Sequence, residues 1–431
     1  MRMLTDNPIL KKNNDKFGFS PYAEILANCI RDTNNLPFCI GIFAEWGSGK
    51  SSLMNMIRDD LKSTNNIKSV WFNPWKYDRK EDLWNALIQS ILFHIIEESN
   101  DNDLSDKAKQ LAKSTAWLLL KKGISTLSSG IVSGDNIENI TQKLVKQDEL
   151  HYRHINNFED DFSKVVDQYT GNGKLVVFID DLDRCLPENA ITVLESLKLF
   201  IGDARCIFVL GMDHLVVEQG LDIRFSEKIK MSGRDYLDKI VQVPFFLPPV
   251  PFRKLRNALE VSKTADFDDE IWKLIEYGLE GNPRKSKRFV NSSYLLNQII
   301  RDRDIDEALD INVNNNKFVS EENQRFYLAK LLIFQMTFLD FYLYIKQHPD
   351  AWYDFGEKLI KANSLEDRKK VFAENPGLER FWDDVRLKNF MEKTQGNDFP
   401  DTPSGDEIEP LIQAISLVSD SSKMKSSKTA S

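Results

Sequence analysis

Cysteine is scarce in this sequence. Four cysteines occur among 431 residues, at Cys29, Cys39, Cys185 and Cys206, and none forms a CxxC pair. Cys39 and Cys206 lie in the apolar runs FCIGIF and CIFVLG, which are typical of buried strands. This distribution argues against a disulfide framework and against a thiolate metal centre. It favours reduced core thiols in a cytosolic protein.

An excess of basic residues is also lacking. Lysine and arginine total 57 against 66 acidic residues, which gives a formal net charge of −9. The strongly basic surface that many nucleic-acid-binding proteins present is therefore absent from the composition as a whole. A local basic patch stays possible, so the composition leaves nucleic-acid binding open.

Long uninterrupted hydrophobic runs are missing as well. The N-terminal stretch MRMLTDNPILKKNNDK has no apolar segment of signal-peptide length. The run Leu328–Ile345 contains Lys330, Gln335 and Asp340, which predicts a buried core helix and not a lipid-facing one. Ala116–Ser133 is interrupted by two lysines and several serines. We expect no transmembrane segment and a cytoplasmic location.

What the sequence does contain is an alternation of apolar runs with helical patterns. Five runs are predicted as strands: Phe38–Ala44, Ile67–Asn73, Lys174–Ile179, Cys206–Gly211 and Ile240–Leu247. Helical spacing lies between them, and beyond about residue 250 it continues alone. Such alternation indicates βα units and a mainly parallel sheet. The predicted fold class is α/β with an all-helical C-terminal region.

The same patterns suggest domain boundaries. Residues 1–17 are predicted to form a flexible arm, and residues 18–250 the α/β core. A polar stretch at about 98–148 is predicted as a helical or mobile insertion in that core. Residues 251–310 are predicted as a helical lid and 311–420 as a C-terminal helical domain. The final segment, 421–431, lacks apolar residues and is predicted to be disordered.

The segment AEWGSGKSS, Ala44–Ser52, matches a P-loop with alanine at the position where glycine is commonest. Gly47 and Gly49 allow the backbone N–H groups to turn towards an anion. The Lys50 ammonium can reach the β- and γ-phosphates, and the Ser51 hydroxyl can bind magnesium. The alternative is a glycine-rich turn without a ligand, but a strand before the motif and a helix after it favour the P-loop. We therefore predict ATP and Mg²⁺ as ligands, with these nucleotide contacts: Glu45, Trp46, Gly47, Ser48, Gly49, Lys50, Ser51 and Ser52.

A second acidic motif, KLVVFIDDLDR, follows the pattern of an apolar strand that ends in carboxylates. Asp180 is predicted to hold magnesium together with Ser51, and Asp181 to act as the general base. Asp183 either assists the attacking water or fixes Arg184. For Arg184 two roles stay open: an ion pair with Asp183, which we favour, and contact with a phosphate bound by a neighbouring subunit.

Taken in order, several stretches resemble the KAP family of P-loop NTPases, which is related to the AAA+ and STAND ATPases. They are GIFAEWGSGKSSL, VWFNPWKYD, VVFIDDLDRC, FVLGMDHL, YLDKIVQVPFFLPP and GNPRKSKRFVN, and they span residues of about 20–295. The resemblance implies an additional-strand sheet, in which one other strand separates the strand before the P-loop from the strand that ends at Asp180.

The resemblance also implies roles for single residues. Asp213 would be a sensor of the γ-phosphate, although a helix N-cap is an equal alternative. Arg284 would be a second, catalytic sensor in the first turn of a lid helix that begins at Pro283. Asn73 would orient water, whereas Trp75 is assigned to packing.

From these features we expect a magnesium-dependent ATPase that couples nucleotide binding or hydrolysis to a conformational change or to assembly. The expected partners are the nucleotide and either further copies of the chain or a protein effector. The resemblance further suggests bacterial anti-phage defence. Many members carry paired membrane spans where this chain has its insertion, and here Ala116–Ile131 is instead a candidate amphipathic hairpin. The alternatives are a slowly hydrolysing nucleotide-gated switch or scaffold and, less favoured, a motor acting on nucleic acid.

Overall fold

The computed structural model describes residues 3–77, 83–113, 158, 160–200, 205–225, 232–260, 267–301, 320–362 and 364–419. The chain divides into two compact units. One is Pro8–Pro248, and the other combines Met1–Asn7 with Pro249–Ser431. Most of the predicted insertion, its candidate hairpin and the predicted tail lie outside the described residues.

A five-stranded sheet forms the centre of the Pro8–Pro248 unit. Its strands are β1 (Phe38–Phe43), β2 (Ile67–Phe72), β3 (Lys174–Ile179), β4 (Cys206–Met212) and β5 (Val243–Phe246). The order is β2-β3-β4-β1-β5, and every neighbouring pair is parallel. Strand β4 therefore separates β1 from β3. This confirms the predicted α/β class and the predicted additional-strand order.

Helices connect and cover these strands. They are α1 (Ser20–Asp32), α2 (Lys50–Leu61), α3 (Leu83–Glu98), α4 (102–113), α5 (160–170), α6 (Pro187–Phe200), α7 (His214–Phe225) and α8 (Gly233–Asp238). Helix α1 packs on α2, and α6 packs on both α3 and α7. All seven residues of β4 are buried, as are five of the six in β3. Nearly continuous apolar strands are expected where helices cover both faces of a parallel sheet.

Strand β5 begins later than its apolar run suggests. The prediction placed it at Ile240–Leu247, whereas the strand occupies Val243–Phe246. The N–H groups of Ile240 and Val241 both donate to the carbonyl of Leu237, so these residues complete the turn that follows α8. The turn uses the N–H groups that a strand ladder would need.

Residues 3–17, predicted to be a loose arm, make specific contacts within each unit. In the Pro8–Pro248 unit, the Ile9 N–H donates to the Ser52 hydroxyl at 3.0 Å, and Lys12 pairs with Asp60 on α2 at 3.5 Å. In the other unit, the Asn291 side chain bonds to both the N–H and the carbonyl of Leu4. How mobile this segment is stays a prediction.

The second unit is helical throughout its described part. Its main helices are α9 (Phe252–Glu260), α10 (Asp269–Leu279), α11 (Pro283–Arg301), α12 (Glu321–Thr337), α13 (Leu339–Gln347), α14 (Leu365–Glu374), α15 (Val385–Lys393) and α16 (Gly405–Ser419). The helix predicted over Leu328–Ile345 is divided at Phe338, whose φ of −124° and ψ of 56° are not helical. Its side chains are nevertheless mostly buried, as predicted, and Phe334 packs edge-on against Phe341 and Trp352.

Among the residues that the structure describes, no helix is both long enough and apolar enough to cross a membrane.

Candidate nucleotide-binding site

The candidate site lies at the carboxyl edge of the sheet. The P-loop follows β1, Asn73 follows β2, Asp180 follows β3 and Asp213 follows β4. Because the strands are parallel, these four strand ends meet at one edge, which is where ligands bind in open α/β sheets.

Positive φ angles at two glycines shape the P-loop. Gly47 has φ of 90° and Gly49 has φ of 110°, values that side-chain-bearing residues rarely adopt. The loop passes so close to Phe19, the residue directly before α1, that a Cβ atom at Gly49 would lie 2.5 Å from its ring. Helix α2 begins at the next residue, so its N-terminal dipole is directed into the loop.

The Lys50 side chain is buried inside the loop, with 6% of the residue exposed. Its ammonium donates to the carbonyl oxygens of Ala44 at 2.8 Å and Glu45 at 3.3 Å. A third contact, at 3.3 Å, is with the carboxylate of Asp183, which is equally buried. Lys50 thus has a counter-charge of its own within the site.

Ser51 and Asp180 are brought together as the sequence predicted. The Ser51 hydroxyl lies close enough to the Asp180 carboxylate to stabilise its charged form, and Asp180 is 4% exposed. Burial raises the pKa of Asp180 to about 6; the Ser51 side chain opposes this shift and the charge of Asp181 adds to it. The Asp180 carboxylate lies close to β4: a Cβ atom on Gly211 of that strand would be 3.0 Å from it.

Asp181 adopts a left-handed backbone conformation with φ of 60°, directly after Asp180. The Asn73 side-chain amide donates to its Oδ2 at 2.8 Å, and the Trp75 N–H donates to Asn73 Oδ1 at 3.1 Å. Asn73 therefore contacts the proposed general base directly, whereas the resemblance suggested that it orients water.

Arg184 pairs with Asp181 and not with Asp183, the partner that we favoured. Its Nε lies 2.7 Å from Asp181 Oδ1, but the N–H is not directed well enough for a hydrogen bond. Asp183 is engaged elsewhere, since its Oδ2 contacts Lys50 and accepts from the N–H of Asp213 at 3.0 Å. Adjacency in sequence suggested the wrong pair, because the short helix Leu182–Arg184 directs the two side chains to different partners.

Two tryptophans flank Arg184. Its guanidinium carbon lies 5.5 Å from the Trp46 ring centroid and 5.7 Å from that of Trp75, within the range of cation–π contacts. Both tryptophans are about half exposed, at 53% and 52%. Trp75 thus packs, as predicted, but against a charged group at the surface and not in the core.

The remaining predicted nucleotide contacts lie on the same loop or at the neighbouring strand end. Glu45 and Trp46 are exposed, and the Ser48 N–H bonds back to the Glu45 carbonyl at 3.2 Å. The Ser52 hydroxyl is occupied by the Ile9 N–H. Asp213 Oδ1 accepts from the Leu215 N–H at 3.2 Å, which is the helix-capping contact that we gave as the alternative to a sensor role.

Arg284 belongs to the helical unit. Helix α11 begins at Pro283, as predicted, and Arg284 lies in its first turn. Its Nε is 3.2 Å from a carboxylate oxygen of Asp6. The cap of this helix is Asn282, which was not predicted; its side chain accepts from the N–H groups of Arg284 and Lys285. The signal in the sequence was an asparagine directly before proline. The sensor role of Arg284 stays a prediction.

The residues at the sheet edge fit magnesium and a nucleoside triphosphate. A buried carboxylate beside a serine hydroxyl is the donor set expected for magnesium in a P-loop site, and a cation would offset the charges of the two adjacent aspartates. The inward-turned loop and Lys50 suit a phosphate chain.

Asp183 was not predicted as a partner of Lys50. Its place after β3 was the only signal, because nothing in the sequence links positions 133 residues apart.

A comparison with protein families matches residues 19–300 to a family model described as the KAP family P-loop domain. An uncharacterised protein of Methanocaldococcus jannaschii is 25% identical over 160 residues, which cover 30% of this chain and 82% of that protein. The phage T7 exclusion protein of Escherichia coli K12 is 24% identical over 282 residues, or 56% of this chain and 34% of that protein. Among solved structures, the ORC2 protein of Aeropyrum pernix, determined as ADPNP and ADP complexes, matches with a TM-score of 0.35 and 13% identity over 92% of this chain and 93% of that chain.

Proposed function

This chain belongs to the KAP family of P-loop domains, and we propose that it is a magnesium-dependent ATPase whose site is the carboxyl edge of the sheet. The observation that carries the proposal is the meeting of Lys50, Ser51, Asp180 and Asp181 beyond the carboxyl ends of β1 and β3. These residues supply a cation for phosphate, a donor set for magnesium and a carboxylate for proton transfer.

Each group has a defined task in this proposal. The P-loop N–H groups and the Lys50 ammonium bind the β- and γ-phosphates. Ser51 and Asp180 hold magnesium, which when bound neutralises charge that develops on the phosphate oxygens. Asp181 accepts a proton from water as the water oxygen bonds to the γ-phosphorus and the bond to the β–γ bridging oxygen breaks, which leaves ADP and phosphate.

The test is phosphate release by the purified protein and by Lys50→Ala. We expect the variant to lose activity by about 100-fold or more, because a positioned cation is removed from the transferred group. Lys62→Ala is the matched control, since this lysine follows the same helix, is 65% exposed and pairs only with Asp59 among the ion pairs of the described residues. It should stay within about twofold of the wild type. Equal phosphate release by Lys50→Ala and wild type would disprove the assignment.

A slowly hydrolysing switch is the second candidate, and one observation favours it. Lys50 and Asp181 are both engaged by charged neighbours, Asp183 and Arg184, so each must change partners during a catalytic cycle. Single-turnover measurements with excess protein separate the candidates. Conversion of bound ATP in seconds to minutes supports an ATPase, and retention of ATP over hours supports a switch.

We also propose that nucleotide binding drives assembly and that the protein acts in defence against phage. Support for the second point is the similarity to the phage T7 exclusion protein, of which this chain spans about a third. Cells that express the wild type should give fewer phage plaques than cells that express Lys50→Ala.

Light scattering with and without ATP and magnesium tests nucleotide-driven assembly, and a mass that does not change would contradict it. Competition between ATP and GTP for the site tests the choice of nucleotide.

A further inference from the structure

The short helix Leu182–Arg184 presents two opposite charges to two groups that the proposed reaction needs. Its Asp183 contacts the Lys50 ammonium at 3.3 Å, and its Arg184 lies 2.7 Å from the Asp181 carboxylate. The first pair is almost completely buried, whereas the Arg184 side chain is 31% exposed. Of the two side chains, that of Arg184 is the one that another molecule can reach, whereas its Nε, which faces Asp181, is buried.

Both oxygens of Asp181 are engaged in this arrangement. Asn73 donates to Oδ2, and the guanidinium of Arg184 stands beside Oδ1. A general base needs an oxygen that accepts the proton of the attacking water, and a guanidinium beside the carboxylate competes with water for that oxygen. Arg184 in this position therefore opposes the proposed role of Asp181.

Arg184 is held in place mainly by contacts that are easily exchanged. Its N–H is not directed at Asp181, so charge attraction and not a linear hydrogen bond holds the pair. The faces of Trp46 and Trp75 flank the guanidinium, and both rings are half exposed. Trp46 belongs to the P-loop, and Trp75 lies two residues after Asn73. A change of the loop on nucleotide binding, or a partner that covers the rings, would therefore act on Arg184 directly.

We propose that Arg184 restrains Asp181, and that hydrolysis accelerates when Arg184 leaves the carboxylate. This inference rests on the proposed ATPase function and concerns the regulation of the same site. Arg184 is a positioning residue here and does not contact the reacting atoms. The opposite role, direct contact with a phosphate bound by another copy of the chain, predicts the opposite change on mutation.

The test compares wild type, Arg184→Ala and the control Arg205→Ala in steady-state phosphate release and in ATP titration by calorimetry. Arg205 precedes β4 at the other edge of the sheet, where it pairs with Asp167, so its removal changes the net charge equally. For Arg184→Ala we expect kcat to rise about five- to tenfold, with the Kd for magnesium–ATP within about twofold. Arg205→Ala should match the wild type in both quantities.

Trp75→Ala provides a second variant. Removing one ring weakens the hold on Arg184, so kcat should rise by a smaller factor, whereas Trp75→Phe should keep the wild-type rate. Melting temperatures confirm that the variants are folded. An unchanged or lower kcat for Arg184→Ala would overturn the inference, and a fall that depends on protein concentration would assign Arg184 to a neighbouring copy.

The two proposals fail in different ways. If phosphate release by the wild type does not depend on Lys50, the proposed function fails. If it depends on Lys50 but Arg184→Ala brings no increase, only the restraint fails. A wild type without measurable turnover is also informative, because activity that appears in Arg184→Ala supports the restraint and continued inactivity overturns it.

Discussion

Replacing Gly49 with alanine should damage both the fold and the site, and the structure indicates by how much. Gly49 has φ of 110° and ψ of 15° and stands directly before α2. An alanine held at such angles costs about 1–3 kcal/mol relative to glycine. This term arises from the backbone alone and would apply even if the new methyl group had free space.

The methyl group does not have free space. Its position lies 2.5 Å and 2.8 Å from two ring carbons of Phe19, well inside the usual contact distance of about 3.5–4.0 Å. Phe19 is 2% exposed and cannot turn towards solvent without leaving the core. Overpacking of this kind adds about 1–3 kcal/mol. The two terms together are about 2–6 kcal/mol, a large share of the roughly 5–15 kcal/mol that stabilises a typical protein.

Urea unfolding of the purified variants measures this loss. Gly171→Ala is the matched control, because Gly171 also has positive φ, at 60°, but no atom lies within 4 Å of the added Cβ. The control should lose about 1–2 kcal/mol. Gly49→Ala should lose more and should also bind ATP weakly, since its loop must move. If Gly49→Ala were as stable as Gly171→Ala and bound ATP like the wild type, the inferred loop geometry would be wrong.

Three further predictions concern single side chains. Ser51→Ala removes a proposed magnesium ligand, so the magnesium concentration at half-maximal phosphate release should rise at least about tenfold, and an unchanged value would remove Ser51 from the metal site. Asp183→Asn removes the counter-charge of Lys50, so the Lys50 ammonium should bind phosphate more tightly and the Kd for magnesium–ATP should fall about three- to tenfold in calorimetry. A higher Kd would instead indicate that Asp183 contributes to binding. Burial lowers the pKa of Lys330 from its ordinary 10.5 to about 7, so between these values the unfolded chain binds a proton that the folded chain lacks. The free energy of unfolding should therefore rise with pH across that window, by up to about 1.4 kcal/mol per pH unit, and Lys330→Met should remove this slope in urea titrations at pH 7, 8 and 9. The same slope in both proteins would contradict a neutral buried amine.

The fold followed from the sequence where local patterns carried the information. The strands that end at Phe43 and Ile179 are short apolar runs with turn chemistry directly after them, and parallel pairing then places their ends together. The P-loop and Asp180 could be located for the same reason. Their chemistry depends on residue type and on the position at a strand end, and both are visible in the sequence.

The predictions were wrong where contacts that periodicity and motifs do not encode determine the structure. The start of β5 depends on a turn after α8 that captures the N–H groups of Ile240 and Val241. The partner of Arg184 depends on which side chains the short helix faces, and the two tryptophans that flank it are 29 residues apart in sequence. Periodicity and motif spacing carry no information about such pairings.

In the proposed mechanism, magnesium–ATP is hydrolysed at this sheet edge with Asp181 as the general base. Single-turnover hydrolysis by Asp181→Asn, with the Kd for magnesium–ATP measured in parallel, isolates that role. We expect a Kd within about twofold of the wild type and a hydrolysis rate lower by about 100-fold or more, because a general base contributes a factor of that order. Hydrolysis at the wild-type rate by this variant would show that Asp181 is not the base.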